Sequence, residues 1–585
     1  MSNSLFRRKS IDKIVHDADL PGDDIHSHSL KRVLTVRDLT FFGIAAIIGA
    51  GSFSSLGGAV FNGGPGVVFL FIITGIACAF TAFCYSEFAS RLPVSGSAYT
   101  YAYASFGELF AWIIGWALIM EYSIGNIYVA FSWSDYFTSF LHKTNIHVPD
   151  YLTCSYIEAK KAVAEGTSNQ ELLGAWNSAP MIGNLRIIFD LPALIINLLI
   201  TYLVYRGIKE SRNFSNIMVI LKLAIVGLVV LVGGYLVFSN GLTFNWTPSN
   251  EEGIKSFMPN GFGGVMMAVS GVFFAYIGFD AVSVLAEESK NPQRDLPRGM
   301  ILSLVICTIV YILLTLVLTG AVDYRKFDGV GDPLAFIFEK QNLNIGWMQI
   351  LVSIVAVVAM TSVLLVFQMG QPRIWMSMSR DGLMPPVFQK IHAKFKTPSF
   401  ATIITGLVVG IPILFTDKTF VLDFTSIATL FAFVLVCGGV LLIPRKEKEA
   451  GRFSLPYING QLIFPLIIVG VFILFVMLGK GYFTDMFSFN FSTNEDYLKG
   501  KASFMDLATP KISLIVFWII CILLSILTII RKYSLIPLLG VTTCLYLLTG
   551  MTKSNWAWFL GWLVLGVIFY FLYGYKKSNL AKSAI

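Results

Sequence analysis

Between residues 40 and 574 the sequence is a succession of apolar runs, most of them close to 20 residues long and parted by polar loops. A helix needs about 20 apolar residues to cross a hydrocarbon core, so this pattern dictates repeated crossings. Reading in windows of about 19 residues places roughly fourteen spans. They lie near 40–62, 66–88, 104–138, 187–205, 214–238, 262–286, 299–321, 346–370, 400–416, 421–444, 461–479, 512–530, 533–550 and 556–574. The ninth is short, and the third is long enough to tilt or protrude. Composition closes the soluble alternative: 13% of residues are charged, against about 25% in soluble domains. A soluble chain of this length implies roughly four domains, and these charges cannot clothe four polar surfaces. Disorder is excluded on the same ground. Of seven cysteines only Cys154 lies in a polar loop, so no disulfide framework is implied. The first run follows a charged tail without a small-residue cleavage site and reads as a span, not a signal peptide. The fold class is an all-α polytopic membrane protein.

Basic residues set the expected orientation. The two tails and every second loop carry 28 of the 43 Lys and Arg, which places both termini in the cytoplasm of a cell (plasma or inner) membrane. The loops at 139–186 and 480–511 then face outward. The net charge of +8 is dispersed between apolar runs, so it marks topology and not a nucleic-acid surface.

Two spans carry interruptions. Span 1 contains IIGAGSFSSLG (47–57), with Gly49, Gly51 and Gly57 in an apolar run. A dinucleotide-binding reading fails, because no strand precedes it and the third glycine is wrongly spaced. Close helix packing through small residues remains an alternative. Span 6 repeats the feature in FFAYIGFDA (273–281), where Asp280 follows Gly278 by two residues. Spans 1 and 6 are five crossings apart and therefore run oppositely, as in inverted five-helix repeats that each begin with a broken helix. Broken backbone frees N–H groups for a carboxylate and C=O groups for an ammonium. Two such breaks side by side make a receptor for a zwitterion. Such backbone must line a protected cavity.

These motifs resemble the amino acid–polyamine–organocation (APC) superfamily of transporters and, within it, the cationic amino acid transporter family. SRLPVSGSAYTYAY (90–103), EESKNPQRDLPRG (287–299) and RIWMSMSRDGLMPP (373–386) match in the expected order, with LFRRKSID (5–12) and TSIATLFAF (425–433). The likeness covers residues 5 to about 450, and the last four spans by number only. It implies a LeuT-type fold: a tail at 1–38, inverted repeats at 39–240 and 241–448, and spans 11–14 with a short tail at 449–585. It implies amino acid import, with substrate at Ile48, Gly49, Ala50, Gly51 and Ser52 of span 1 and at Phe274, Ala275, Ile277 and Gly278 of span 6. Phe274 is expected to close over the substrate, although packing is the plainer reading of an isolated Phe. One departure stands out. The family's Thr-Gly-Ile-Phe is replaced by Ala50-Gly51-Ser52-Phe53, which moves a hydroxyl within the substrate loop and leaves the substrate spectrum open.

Three ionisable residues fall inside spans: Glu121, Lys222 and Asp280. Intramembrane charge costs about 2.5–3.5 kcal/mol on insertion scales and points to function. At 1.5 Å per residue, Glu121 and Lys222 lie roughly 12–17 Å, and Asp280 roughly 10 Å, above the cytoplasmic ends of their spans. Lys222 reads as a snorkelling lysine, a structural ion pair or a functional amine. The resemblance favours the last, because related transporters place a lysine where sodium-driven relatives bind sodium. Glu121 reads either as a structural carboxylate joining spans 3 and 5 or as a proton carrier that sets Lys222. Asp280 is expected to cap the half-helix after Gly278.

All six histidines lie outside the spans, so no intramembrane metal site or histidine relay is expected; His26 and His28 read as part of a solvated tail. No phosphate-binding loop or hydrolase motif occurs. The buried Lys222 and the resemblance imply a proton as the coupling ion, with no other cofactor expected. The leading reading is a non-enzymatic proton symporter for amino acids, with neutral substrates accepted at least as well as cationic ones. An amino acid exchanger and a nutrient receptor on the same scaffold are the alternatives; a channel fits the paired breaks poorly. Whether a small membrane accessory subunit joins the chain is left open.

Overall fold

The computed structural model describes residues 7–9 and 34–582, apart from segments at 93–96, 145, 166–169, 184, 208–211, 250–252, 396, 445–452, 479–481, 493–496 and 498–502. Most of the charged tail, with His16, His26 and His28, lies outside the described residues, as does part of the motif at 90–103.

All fourteen expected spans are helical. Among the described residues nine helical stretches are long and apolar enough to cross a membrane, and one of them, Gly51–Arg91, joins the second half of span 1 to span 2. Spans 4 (Leu191–Arg206), 9 (Ser399–Ile413) and 13 (Leu535–Leu548) are shorter apolar helices. Spans 1 and 6 are each divided. Span 3, Glu108–Lys143, has 36 residues, or about 54 Å of helix, and so overruns the hydrocarbon core as its sequence suggests. Several helices begin or end outside the predicted windows: span 7 starts at Pro292, span 8 runs to Arg380 and span 12 starts at Phe504. Hydropathy marks the stretch that lies in lipid, whereas the hydrogen-bonded helix continues into the polar region. Span 4 shows how an end is fixed. Asp190 accepts from Ala193 N–H at 2.9 Å, Pro192 sits in the first turn, and Gly207 closes the helix in a left-handed conformation at φ 75°.

Span 3 is the central post, packed against spans 8 and 10 and the connecting helix Ser97–Ser105. Span 7 packs on spans 1 and 2, and span 5 on spans 1, 7 and 8. The two chain ends meet on one face. Glu108 N–H donates to Arg7 at 2.9 Å and Asn579 N–H to the Asp381 carbonyl at 3.0 Å, while Lys9 pairs with Asp381 at 3.4 Å. Span 3 leads from this face to the opposite one. There residues 150–190 form a small unit of two helices, Tyr156–Glu165 and Gln170–Ser178, and a two-stranded ladder pairing 181–182 with 185–186. Cys154, Ala159, Ala175, Ala179 and Ile188 are its core.

Candidate functional site

Span 1 breaks where its glycines predict. The first helix, Val36–Ile47, ends on Ile48 in an extended conformation. After Gly49 and Ala50 a wide π-type turn, Gly51–Ser55, restarts the chain as Leu56–Gly63. The Gly49 carbonyl accepts from the N–H groups of Ser52 and Phe53 at 3.1 and 3.0 Å and from Ser52 Oγ at 3.0 Å. The displaced hydroxyl at Ser52 is thus engaged within its own turn. In span 6 the helix Val269–Phe274 gives way at Ala275–Phe279, and a 3-10 segment opens at Asp280. Gly278 holds φ +117°, which side-chain-bearing residues rarely adopt.

The two breaks press directly on one another. A Cβ on Gly51 would lie 2.5 Å from Ala275 Cα, and one on Gly278 would lie 2.9 Å from the Ala46 carbonyl carbon. Both positions therefore require glycine for backbone-to-backbone approach. Two hydroxyls bridge the spans: Ser55 Oγ lies 2.7 Å from Gly51 O and 2.9 Å from Gly271 O, and Tyr311 Oη of span 7 lies 2.9 Å from Ile47 O and 2.7 Å from Ala275 O. Ile48, Ala50, Ala275 and Ile277 are buried around this junction. Phe274 meets the Tyr128 ring edge-on at 4.5 Å.

The three intramembrane charges surround the junction. Lys222 is buried, and its ammonium donates to the Ala45 carbonyl at 3.1 Å, in the last turn before the span 1 break. Asp280 is buried at the opening of the 3-10 segment, two residues after Gly278. Glu121 is buried on span 3, within electrostatic reach of Asp280 on span 6. Spans 8 and 10 occupy the flanks of span 3. Among the described residues no group of three His, Cys, Asp or Glu could hold a metal ion.

Tyr311, Tyr128 and Ser55 were not singled out from sequence. Each is a common residue in an apolar run, and only the fold reveals the Tyr311 and Ser55 hydroxyls on the breaks and the Tyr128 ring against Phe274. A tyrosine hydroxyl deep in a span was the available signal, since a buried Tyr finds a hydrogen-bond partner.

Comparison with known proteins agrees with this architecture. The family model for amino acid permeases matches residues 34–496. The branched-chain amino acid permease BcaP of Bacillus subtilis is 41% identical over 485 residues, covering 83% of this chain and 94% of the relative. The methylthioribose transporter of the same species is 39% identical, over 81% of this chain and 92% of its own. Cationic amino acid transporter 2, vacuolar, of Arabidopsis thaliana is 35% identical, over 75% and 63%. Broken helices, a family model spanning most of the chain and relatives that are transporters and not enzymes lead to one conclusion: the chain belongs to the amino acid permease family of the APC superfamily, and is a multi-pass amino acid transporter similar to the cationic amino acid transporters.

Proposed function

We propose that this transporter is a secondary active importer that couples amino acid uptake to protons and holds its substrate at the breaks of spans 1 and 6. The observation that carries the reading is the Lys222 ammonium on the Ala45 carbonyl. A charged amine there ties span 5 to the turn that precedes the substrate loop. A neutral amine gives up that charge-assisted bond and frees the first half of span 1 to rock. Binding and release of one proton thereby bias two positions of the same helix. Glu121 and Asp280 adjoin, so a proton on one is felt by the other. In this reading residues 39–240 and 241–448 are inverted repeats of a LeuT-type fold, both chain ends are cytoplasmic, and the unit at 150–190 faces outward.

The substrate carboxylate is assigned to the N–H groups at Gly49–Gly51, and the ammonium to the carbonyls of the breaks. The side chain then points toward the aromatic pair Phe274 and Tyr128, which suits small or medium neutral amino acids at least as well as cationic ones. The relationship to a branched-chain permease supports this. The methylthioribose relative offers a contrast, since a thio-sugar has neither carboxylate nor ammonium. Competition against labelled leucine in proteoliposomes tests the assignment. Free neutral amino acids are expected to compete, and leucine methyl ester and methylthioribose to compete at least tenfold less well. An ester equal to its parent acid, or exclusive uptake of arginine or lysine, would overturn the assignment.

A further inference from the structure

Beyond the breaks, toward the face opposite the chain ends, an ion pair joins spans 3 and 10. Lys418, the first residue of span 10, contacts Asp135 of span 3 through its ammonium, with both side chains partly buried. The same ammonium lies 5.7 Å from the centroid of the Tyr128 ring, whose edge meets Phe274 at 4.5 Å. Charge, ring and ring thus form one continuous stack down to the span 6 break. Neighbouring contacts close the remaining gap. Tyr136 Oη donates to the Phe53 carbonyl at 2.6 Å, and Ser54 Oγ to Gly331 O at 3.0 Å. Gly331 is packed so closely that a Cβ would lie 2.7 Å from Asp135 Oδ2.

The unit at 150–190 grips the same helix end. Lys161 pairs with Asp417 at 2.6 Å, and Glu158 accepts from Lys418 N–H at 3.1 Å. Asp417 in turn caps span 10 by accepting from Phe420 N–H at 2.7 Å. The start of span 10 therefore moves with that unit or separates from it. It cannot shift alone.

We propose that the Asp135–Lys418 pair is the latch of an outer gate, and that it must part for substrate to reach the breaks from the face bearing the 150–190 unit. The proposal rests on the breaks being the substrate site. Two opposite charges across a partly dry helix gap hold firmly while paired, and removal of one leaves the other uncompensated. Loss of either partner therefore shifts the population toward the open gate, whereas exchange of the two charges restores the latch.

The test is thiol labelling of the full-length, detergent-solubilised protein with a bulky maleimide. A Ser132→Cys reporter is placed in a Cys154→Ser background. Ser132 is buried on span 3 between Tyr128 and Asp135. With the pair intact, labelling is expected to be slow. Lys418→Gln, and independently Asp135→Asn, should accelerate it about tenfold, and the double exchange Asp135→Lys/Lys418→Asp should return it to within about twofold of the starting rate. Unchanged labelling in both single variants, or a double exchange as fast as Lys418→Gln, would overturn the latch. Labelling needs neither substrate nor a proton gradient, so transport that fails while gating responds as expected counts against the proposed function and not against the latch.

Discussion

Spans 3 and 11 are both apolar helices, yet they meet opposite surroundings. In span 3, 94% of the most apolar stretch is buried within the protein; in span 11 the figure is 11%. The buried helix carries Glu121, Asn126 and Tyr128, each facing a neighbour. Span 11 turns Leu462, Leu466 and Met477 outward to the lipid. Span 12 is similar, at 22%, and its inner side packs into a cluster around Met486, Phe517, Trp518 and Cys521. The figure for span 14 is the same 22%, but its partner differs. Span 14 is stacked on span 3, with Trp116 Nε1 donating to Trp562 O at 2.9 Å and Trp562 Nε1 donating back to Trp116 O at 3.1 Å. Apolar character alone therefore does not separate helices that work from helices that wrap. Polar groups held inside the bundle do.

The contrast breaks most visibly at glycine. Gly51→Leu should drive spans 1 and 6 apart and lower uptake more than a hundredfold, since its Cβ already meets Ala275 Cα at 2.5 Å. Gly470→Leu in span 11, where a Cβ meets nothing within 4 Å, should leave uptake within about twofold of the parent. Initial rates of labelled leucine uptake, normalised to surface protein, check both. A span 11 variant as damaging as the span 1 variant would erase the distinction.

A smaller loss is expected at the stacked interface. Trp116→Ala removes a large ring from the span 3–span 14 contact and, by analogy with buried aromatic truncations, costs about 3–5 kcal/mol. Thermal unfolding in detergent should show a clearly lowered Tm. Trp558→Ala, on an exposed part of span 14, should move Tm by no more than a degree or two.

The smallest effect concerns the loop between spans 7 and 8. Burial pushes the Asp332 carboxyl up to about 6 against the opposing pull of Lys143 and a hydrogen bond from Ser139. The folded protein then binds this proton more tightly than the unfolded chain. The associated stability is full below the ordinary aspartate range near 3.8 and is lost as pH rises through about 6. Asp332→Asn should flatten the decline of Tm between pH 4 and pH 7, a change of a few degrees at most. An unaltered slope would show that Asp332 does not contribute to it.

Much of this contrast is legible in residues alone, but unevenly. Fourteen helices follow from the apolar runs, because lipid leaves the backbone no other partner than itself. The breaks are legible because glycine inside such a run is conspicuous, and Lys222 because a charge there is costly. The ends of spans 7, 8 and 12 escape, since helices continue past the lipid. So do the partners. Glu121 of span 3 comes within reach of Asp280 of span 6 because of how the bundle packs, and no spacing in the chain encodes that. Lys418 reads as a loop residue until Asp135 is seen across from it, and the Tyr311 hydroxyl has no visible task until two interrupted helices converge on it.

In the proposed mechanism the bond from Lys222 to Ala45 links proton binding to movement of span 1. Uptake of labelled leucine into proteoliposomes with imposed gradients tests it most directly. An inward proton gradient should drive accumulation, a protonophore should collapse it, and sodium should be dispensable. Lys222→Met should abolish accumulation while retaining substrate binding or exchange. Accumulation driven by sodium alone, or a Lys222→Met protein that still concentrates leucine on a proton gradient, would contradict the account.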